Sequence, residues 1–241
     1  MLRVLHQEWY AAWHTRSIRL FYLFVLVAAL LAELPSLPSL AASGITGADA
    51  FVRALTDSPY AALVGSVLAG LYFGAAFRRQ TIRLPIAAGT LRLSVFLSKA
   101  LVYLALAVPA VLVYPACRSV VSMAVNGWGA LSLAHLAETT AVGVLMYMLI
   151  FSFFILIGFL VRDTGKTIGI CILCYLFYSL LYTMVAPDLF LFAEASPAVV
   201  FDGLAGYRLT PAAAANAALT AFAGMVTIAG VTYALFRKSD V

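Results

Sequence analysis

Long apolar runs alternate along this chain with short polar segments that gather nearly all the charge. Stretches without any charged residue cover 59–77, 100–117, 139–161, 167–186 and 211–236. Each is close to the roughly 20 residues that a helix needs to cross about 30 Å of hydrocarbon. A further run near the start is strongly apolar but shorter, and Glu33, Pro35 and Pro38 follow it. With their flanks, these runs predict six spans, over about 18–34, 59–77, 93–117, 136–161, 167–186 and 211–236. The expected fold is all-α and polytopic, with residues 1–241 forming a single transmembrane domain.

Residues 1–17 have a different pattern. Leu2, Leu5, Trp9 and Trp13 recur at helical spacing on one face, with Arg3, Arg16 and Arg19 nearby. That predicts an amphipathic helix lying in the membrane interface rather than a secretory signal, whose charged region would be shorter. At the last span, Thr210 and Pro211 supply an N-cap and a first helical position. The stretch 189–201 is apolar, but Glu194, Ser196 and Pro197 interrupt it, so it is expected to be a re-entrant or interfacial segment, or an ordinary outer loop.

Charge orients this pattern. Of the 15 basic residues, 12 fall on one side of the predicted spans: Arg3, Arg16, Arg19, Arg78, Arg79, Arg83, Arg92, Lys99, Arg162, Lys166, Arg237 and Lys238. Arg53, Arg118 and Arg208 fall on the other. Basic residues in short loops stay in the cytoplasm, so both termini are expected there, in the cell membrane. The net charge of +5 follows from this bias, and no basic cluster interleaved with aromatics suggests a nucleic-acid partner. Composition agrees, because 64% of residues are hydrophobic and 10% charged, against roughly 45–50% and 25% in soluble domains.

Catalytic chemistry is hard to find. Gly165, Lys166 and Thr167 imitate the end of a phosphate loop, but Leu160 stands where that loop requires glycine. Cys171 and Cys174 form a CxxC inside an apolar span, where two buried small hydrophobes are expected, and Cys117 makes the cysteine number odd. His6, His14 and His135 are scattered, so neither a metal site nor a bound cofactor is expected. Glu33 and Glu138 sit near the outer ends of their spans, where a carboxylate reaches water, and either is a candidate to line the outer end of a substrate path.

The segment 77–99, FRRQTIRLPIAAGTLRLSVFLSK, carries four arginines and one lysine between the second and third spans. Ile82, Leu84, Pro85 and Ile86 alternate with this charge. Gly89 is placed to end a short helix in the left-handed conformation, and Thr90 to cap the next. A brief helix parallel to the membrane is expected, available for docking.

Thr81, Ile82 and Arg83, followed by Gly89, Arg92 and Lys99, resemble the coupling-helix region of permease subunits of ABC-2 type exporters. The six spans, the interfacial N-terminal helix, the outer apolar segment before the last span and the basic C-terminal end extend the resemblance over the whole chain, especially to compact permeases for peptide-antibiotic export and immunity. Ala75 to Gln80 departs from that pattern, lacking the acidic residue and glycine that commonly precede the Thr-Ile-Arg group. The resemblance implies the ABC-2 exporter fold and a permease without its own ATPase, paired with a cytoplasmic ABC ATPase subunit that holds ATP and Mg. It also implies a second permease copy or related subunit. Arg78, Arg79, Thr81, Ile82, Arg83, Ile86 and Arg92 would couple the two proteins. Two other classes fit the composition: a non-transporting scaffold or assembly subunit, and an intramembrane enzyme for which no catalytic groups are visible.

Overall fold

Hydrophobic runs of this length satisfy their backbone polar groups internally, so helices are the only regular structure that open apolar segments can form in lipid. A computed structural model of the chain describes residues 2–35, 37–184, 196–206 and 210–238. Every regular element among them is helical: α1 (Leu2–His14), α2 (Arg16–Glu33), α3 (Leu37–Ser43), α4 (Gly47–Leu55), α5 (Ser58–Ala69), a π-helical turn (Gly70–Gly74), α6 (Ala75–Arg78), α7 (Arg83–Ala87), α8 (Arg92–Asn126), α9 (Leu133–Val161), α10 (Thr164–Met184), α11 (Pro197–Ala205) and α12 (Pro211–Lys238).

The chain is an all-helical, multi-pass membrane protein. Among the described residues, five helices are long and apolar enough to cross a bilayer: Ser58–Arg78, Arg92–Asn126, Leu133–Val161, Thr164–Leu181 and Pro211–Lys238. A sixth candidate is the pair of α1 and α2, which are bent by 61° where they meet at Thr15. One side of α2 packs inward through Ile18, Phe21, Val25 and Ala29, whereas Leu23, Phe24 and Leu31 are exposed. Such a one-sided apolar exterior suits contact with lipid.

Side-chain bonds between helix ends fix the alternation of the bundle. At one end, Arg78 Nη2 donates to Thr164 Oγ1 over 2.9 Å, and Arg92 Nη1 donates to the Arg237 carbonyl over 2.8 Å. Toward the other end, Tyr175 donates to Ser58 Oγ over 2.7 Å. The first two bonds each join the start of one helix to the end of another, and the third joins the start of α5 to the middle of α10. Inside the bundle, Phe73, Phe96, Phe159 and Phe236 form a ring cluster with centroids 5.1 to 6.4 Å apart. Tyr103 is fully buried and donates to the Gly65 carbonyl.

The π-helical turn brings α10 very close. A Cβ on Gly74 would lie 2.5 Å from the backbone nitrogen of Thr164, and one on Gly70 would lie 2.7 Å from its carbonyl oxygen. Glycines four apart let helix backbones approach in this way.

The structure adds two features to the expected pattern and corrects one expectation. The third span was expected over 93–117, and the helix that contains it, α8, runs on to Asn126, about 50 Å in all, well beyond the hydrocarbon thickness. Its extra turns receive α4: the Gly47 N–H donates to the Gly127 carbonyl, Ser119 Oγ to the Gly47 carbonyl, and Asn126 Nδ2 to the carbonyls of Leu40 and Ile45. The segment after the first span holds α3 and the largely buried α4. Thr90 does not occupy the N-cap of α8; Leu91 does, without a side-chain cap bond. Gly89 does adopt the left-handed conformation, with φ 84°.

At the last span, Thr210 caps as expected, its Oγ1 accepting from the Ala213 N–H over 3.2 Å. Of the apolar stretch 189–201, residues 189–195 lie outside the described residues, as does Arg208. The remainder opens α11, whose Phe201 packs on Tyr147 with centroids 4.9 Å apart.

Candidate functional site

The connector between α6 and α8 is the first candidate, since it is where force from a partner would enter. Arg78 ends α6, and Gln80 turns the chain with φ 56°. The five-residue α7 follows. Arg79 and Thr81 are exposed, and Thr81 Oγ1 donates to the Ala76 carbonyl over 3.2 Å. Leu84 and Leu91 are 66% and 74% exposed, and Ile86 is half-buried. Ile82, expected among the docking residues, is instead fully buried and roots the connector in the core. Arg83 begins α7.

Arg78 and Arg92 each make an exposed hydrogen bond to the end of a neighbouring helix. Arg78 binds the first turn of α10 through Thr164. Arg92 caps a carbonyl in the last turn of α12, where helical C=O groups lack intrahelical partners. The connector is thus mechanically joined to α8 by the chain and to α10 and α12 by these two arginines. Beside it lies a polar hollow of about 370 Å³ lined by Gly74, Phe77, Arg78, Gln80, Ile82, Arg162 and Asp163. Arg162 covers the Phe77 ring at 5.3 Å, and Asp163 Oδ1 accepts the Lys166 N–H, so Gly165 to Thr167 form the start of a helix rather than a phosphate loop.

A second group lies deeper in the same half of the bundle, and sequence patterning missed it. Lys99 was grouped with the interfacial charges, but its side chain is 1% exposed and its Nζ lies 2.7 Å from Glu8 Oε2. The Tyr72 hydroxyl approaches the same carboxylate oxygen at 3.4 Å, and the ammonium sits 5.5 Å from the centre of the Tyr72 ring. An ammonium buried this deeply requires a paired anion, because isolated burial costs many kcal/mol. The available signal was a lysine seven positions into an otherwise apolar helix together with a glutamate on the amphipathic helix, and their pairing spans 91 residues.

The two sequence-predicted carboxylates part company. Glu33 was expected to reach water, but it is 2% exposed and stands 3.6 Å from Arg118, which in turn donates to the Tyr114 hydroxyl over 2.8 Å. Glu138 is exposed on α9, and no described bond joins it to the Glu33 group. Cys171 is buried as expected; Cys174 is exposed on the next turn of α10, and both are free thiols. No cluster of metal-ligating side chains occurs among the described residues. A scan against protein-family models finds no match, and neither does a search of curated proteins.

Proposed function

We propose that this chain is the membrane-spanning permease subunit of an ATP-driven exporter of the ABC-2 type. In this reading α2 is the first of six spans, α1 lies in the interface, and both termini face the cytoplasm across the cell membrane. A separate ABC ATPase, holding ATP and Mg, docks on the connector, and a second permease copy or related subunit completes the substrate path. The cargo is a hydrophobic or peptide-like molecule, such as an antimicrobial peptide.

The observation that carries this proposal is the construction of the connector. Its short helix α7 leaves Leu84 exposed, flanked by exposed Arg79 and Leu91, while Arg78 and Arg92 bind α10 and α12. A push on α7 is delivered to three long helices at once, which a loop serving only as an anchor does not require. Shifting such a bundle between inward-facing and outward-facing states needs a partner that binds one state more tightly, and nucleotide binding in an attached ATPase supplies that difference. Replacing Arg79 by glutamate and Leu84 by aspartate tests this directly. The pair of changes is expected to remove ATPase association while leaving membrane insertion intact.

A further inference from the structure

At the end of the bundle away from the connector, α2, α5 and α8 line a half-open cavity of about 400 Å³. That volume falls within the roughly 300–1,000 Å³ of small-molecule sites. Phe21, Val25, Ala28, Ala29, Val64 and Val67 supply apolar walls, with exposed Phe24 and Leu63 at the lip. Its polar groups are few: the Asp57 carboxylate and the hydroxyls of Tyr60 and Tyr114, whose rings lie 4.8 Å apart.

The Tyr60 hydroxyl is buried and has no hydrogen-bond partner. Asp57 precedes α5 but makes no side-chain cap bond, and no cation stands within ion-pairing distance of it among the described residues. Arg53 is exposed four residues earlier and forms no ion pair with it. The other nearby cation, Arg118, is committed to Glu33 and to the Tyr114 hydroxyl. Among the described residues Asp57 is thus a carboxylate without an ion pair, beside two aromatic rings and an unused hydroxyl.

We infer that this cavity binds an amphiphile with an aliphatic chain and a cationic amine head, the chain between α2 and α5 and the ammonium at Asp57. The carboxylate supplies a charge-assisted hydrogen bond, and the faces of Tyr60 and Tyr114 supply cation–π attraction. The Tyr60 hydroxyl gains a polar neighbour. A carboxylate-headed or phosphate-headed amphiphile would be repelled by Asp57, and a neutral alcohol of equal length would fill the walls without using the charge. Binding requires no ATPase, so it is measured on the isolated chain and its failure leaves the transport proposal untouched.

The test uses the full chain purified in dodecylmaltoside, whose headgroup is uncharged, with tritiated dodecylamine, dodecan-1-ol and dodecanoate as probes. Dodecylamine is expected to bind saturably and about tenfold or more tighter than dodecan-1-ol, as a charged hydrogen bond implies. Dodecanoate is expected to bind more weakly than the alcohol. Asp57→Asn, which keeps the shape of the side chain, should bring the amine down to the level of the alcohol. Ala28→Phe, which fills the cavity, should weaken both. Competition with short-chain phosphatidylethanolamine then separates the two amine sources: displacement assigns the site to a membrane lipid, and no displacement assigns it to single-chain amines. Equal binding of amine and alcohol by the unaltered chain would overturn the inference, as would an amine preference that survives Asp57→Asn.

Discussion

The Lys99 ammonium and the Glu8 carboxylate stand 2.7 Å apart across 91 residues of sequence, and this contact fastens α1 to α8. It ties the N-terminal helix directly to the bundle. Leu5 packs against the core alongside it, while Trp9 and Trp13 stack on one another and remain exposed.

Removing one member of this pair should be far worse than removing both. Glu8→Leu strands a buried ammonium and is expected to cost about 3–5 kcal/mol, whereas Glu8→Leu with Lys99→Met leaves an apolar contact and should recover most of the loss. Thermal unfolding in detergent, followed by tryptophan fluorescence, measures both. Equal destabilisation by the single and double changes would mean that the pair contributes only packing.

The approach of the π-helical turn to α10 predicts a sharp steric effect. Gly74→Ala places a methyl group against the Thr164 backbone, which has no rotamer with which to yield. A cost of about 1–3 kcal/mol is expected, together with loosening of the Arg78–Thr164 bond nearby. Gly169→Ala on α10, where a Cβ meets nothing within 4 Å, serves as the control and should be close to neutral.

Glu33 and Arg118 offer a charge-reversal experiment. If Glu33 serves as the counter-ion of Arg118 rather than as a path-lining acid, Glu33→Arg should destabilise strongly and Arg118→Glu should restore stability in the double variant. Thermostability of the four proteins gives the coupling energy directly. Restored stability with normal export would assign Glu33 a structural role.

Orientation is tested by single cysteines in a background lacking Cys117, Cys171 and Cys174. A cysteine at Ser43, exposed at the end of α3, should react with an impermeant reagent added outside the cell, and one at Thr90 in the connector should not. Labelling of Thr90 alone would invert the predicted topology.

The long spans were legible because hydrocarbon selects composition so strongly that charge-free runs mark their own boundaries. Where the expectations failed, the deciding contact was remote in sequence. Lys99 reads as one more interfacial cation until Glu8 is placed beside it. The helix α4 was missed although Thr46 and Asp49 form a local capping pair, Thr46 Oγ1 donating to Asp49 Oδ2 over 2.6 Å. That T-x-x-D spacing was available in the sequence, but the run after it is too short to signal a helix by periodicity alone. Ile82 illustrates the limit for the site itself: alternating apolar and basic residues locate the connector, but which apolar side chain faces the core depends on the turn at Gln80.

The central claim, that the connector receives an ATPase, is tested most directly by quantitative purification of the tagged full chain from its native membrane in mild detergent. ATP hydrolysis and the stoichiometry of any nucleotide-binding subunit are measured on the same sample. The unaltered chain should carry an ATPase at a fixed ratio, and Arg79→Glu with Leu84→Asp should lose it while inserting and unfolding as before. An unaltered chain that carries no ATPase, or a double variant that retains it in full, would contradict the account.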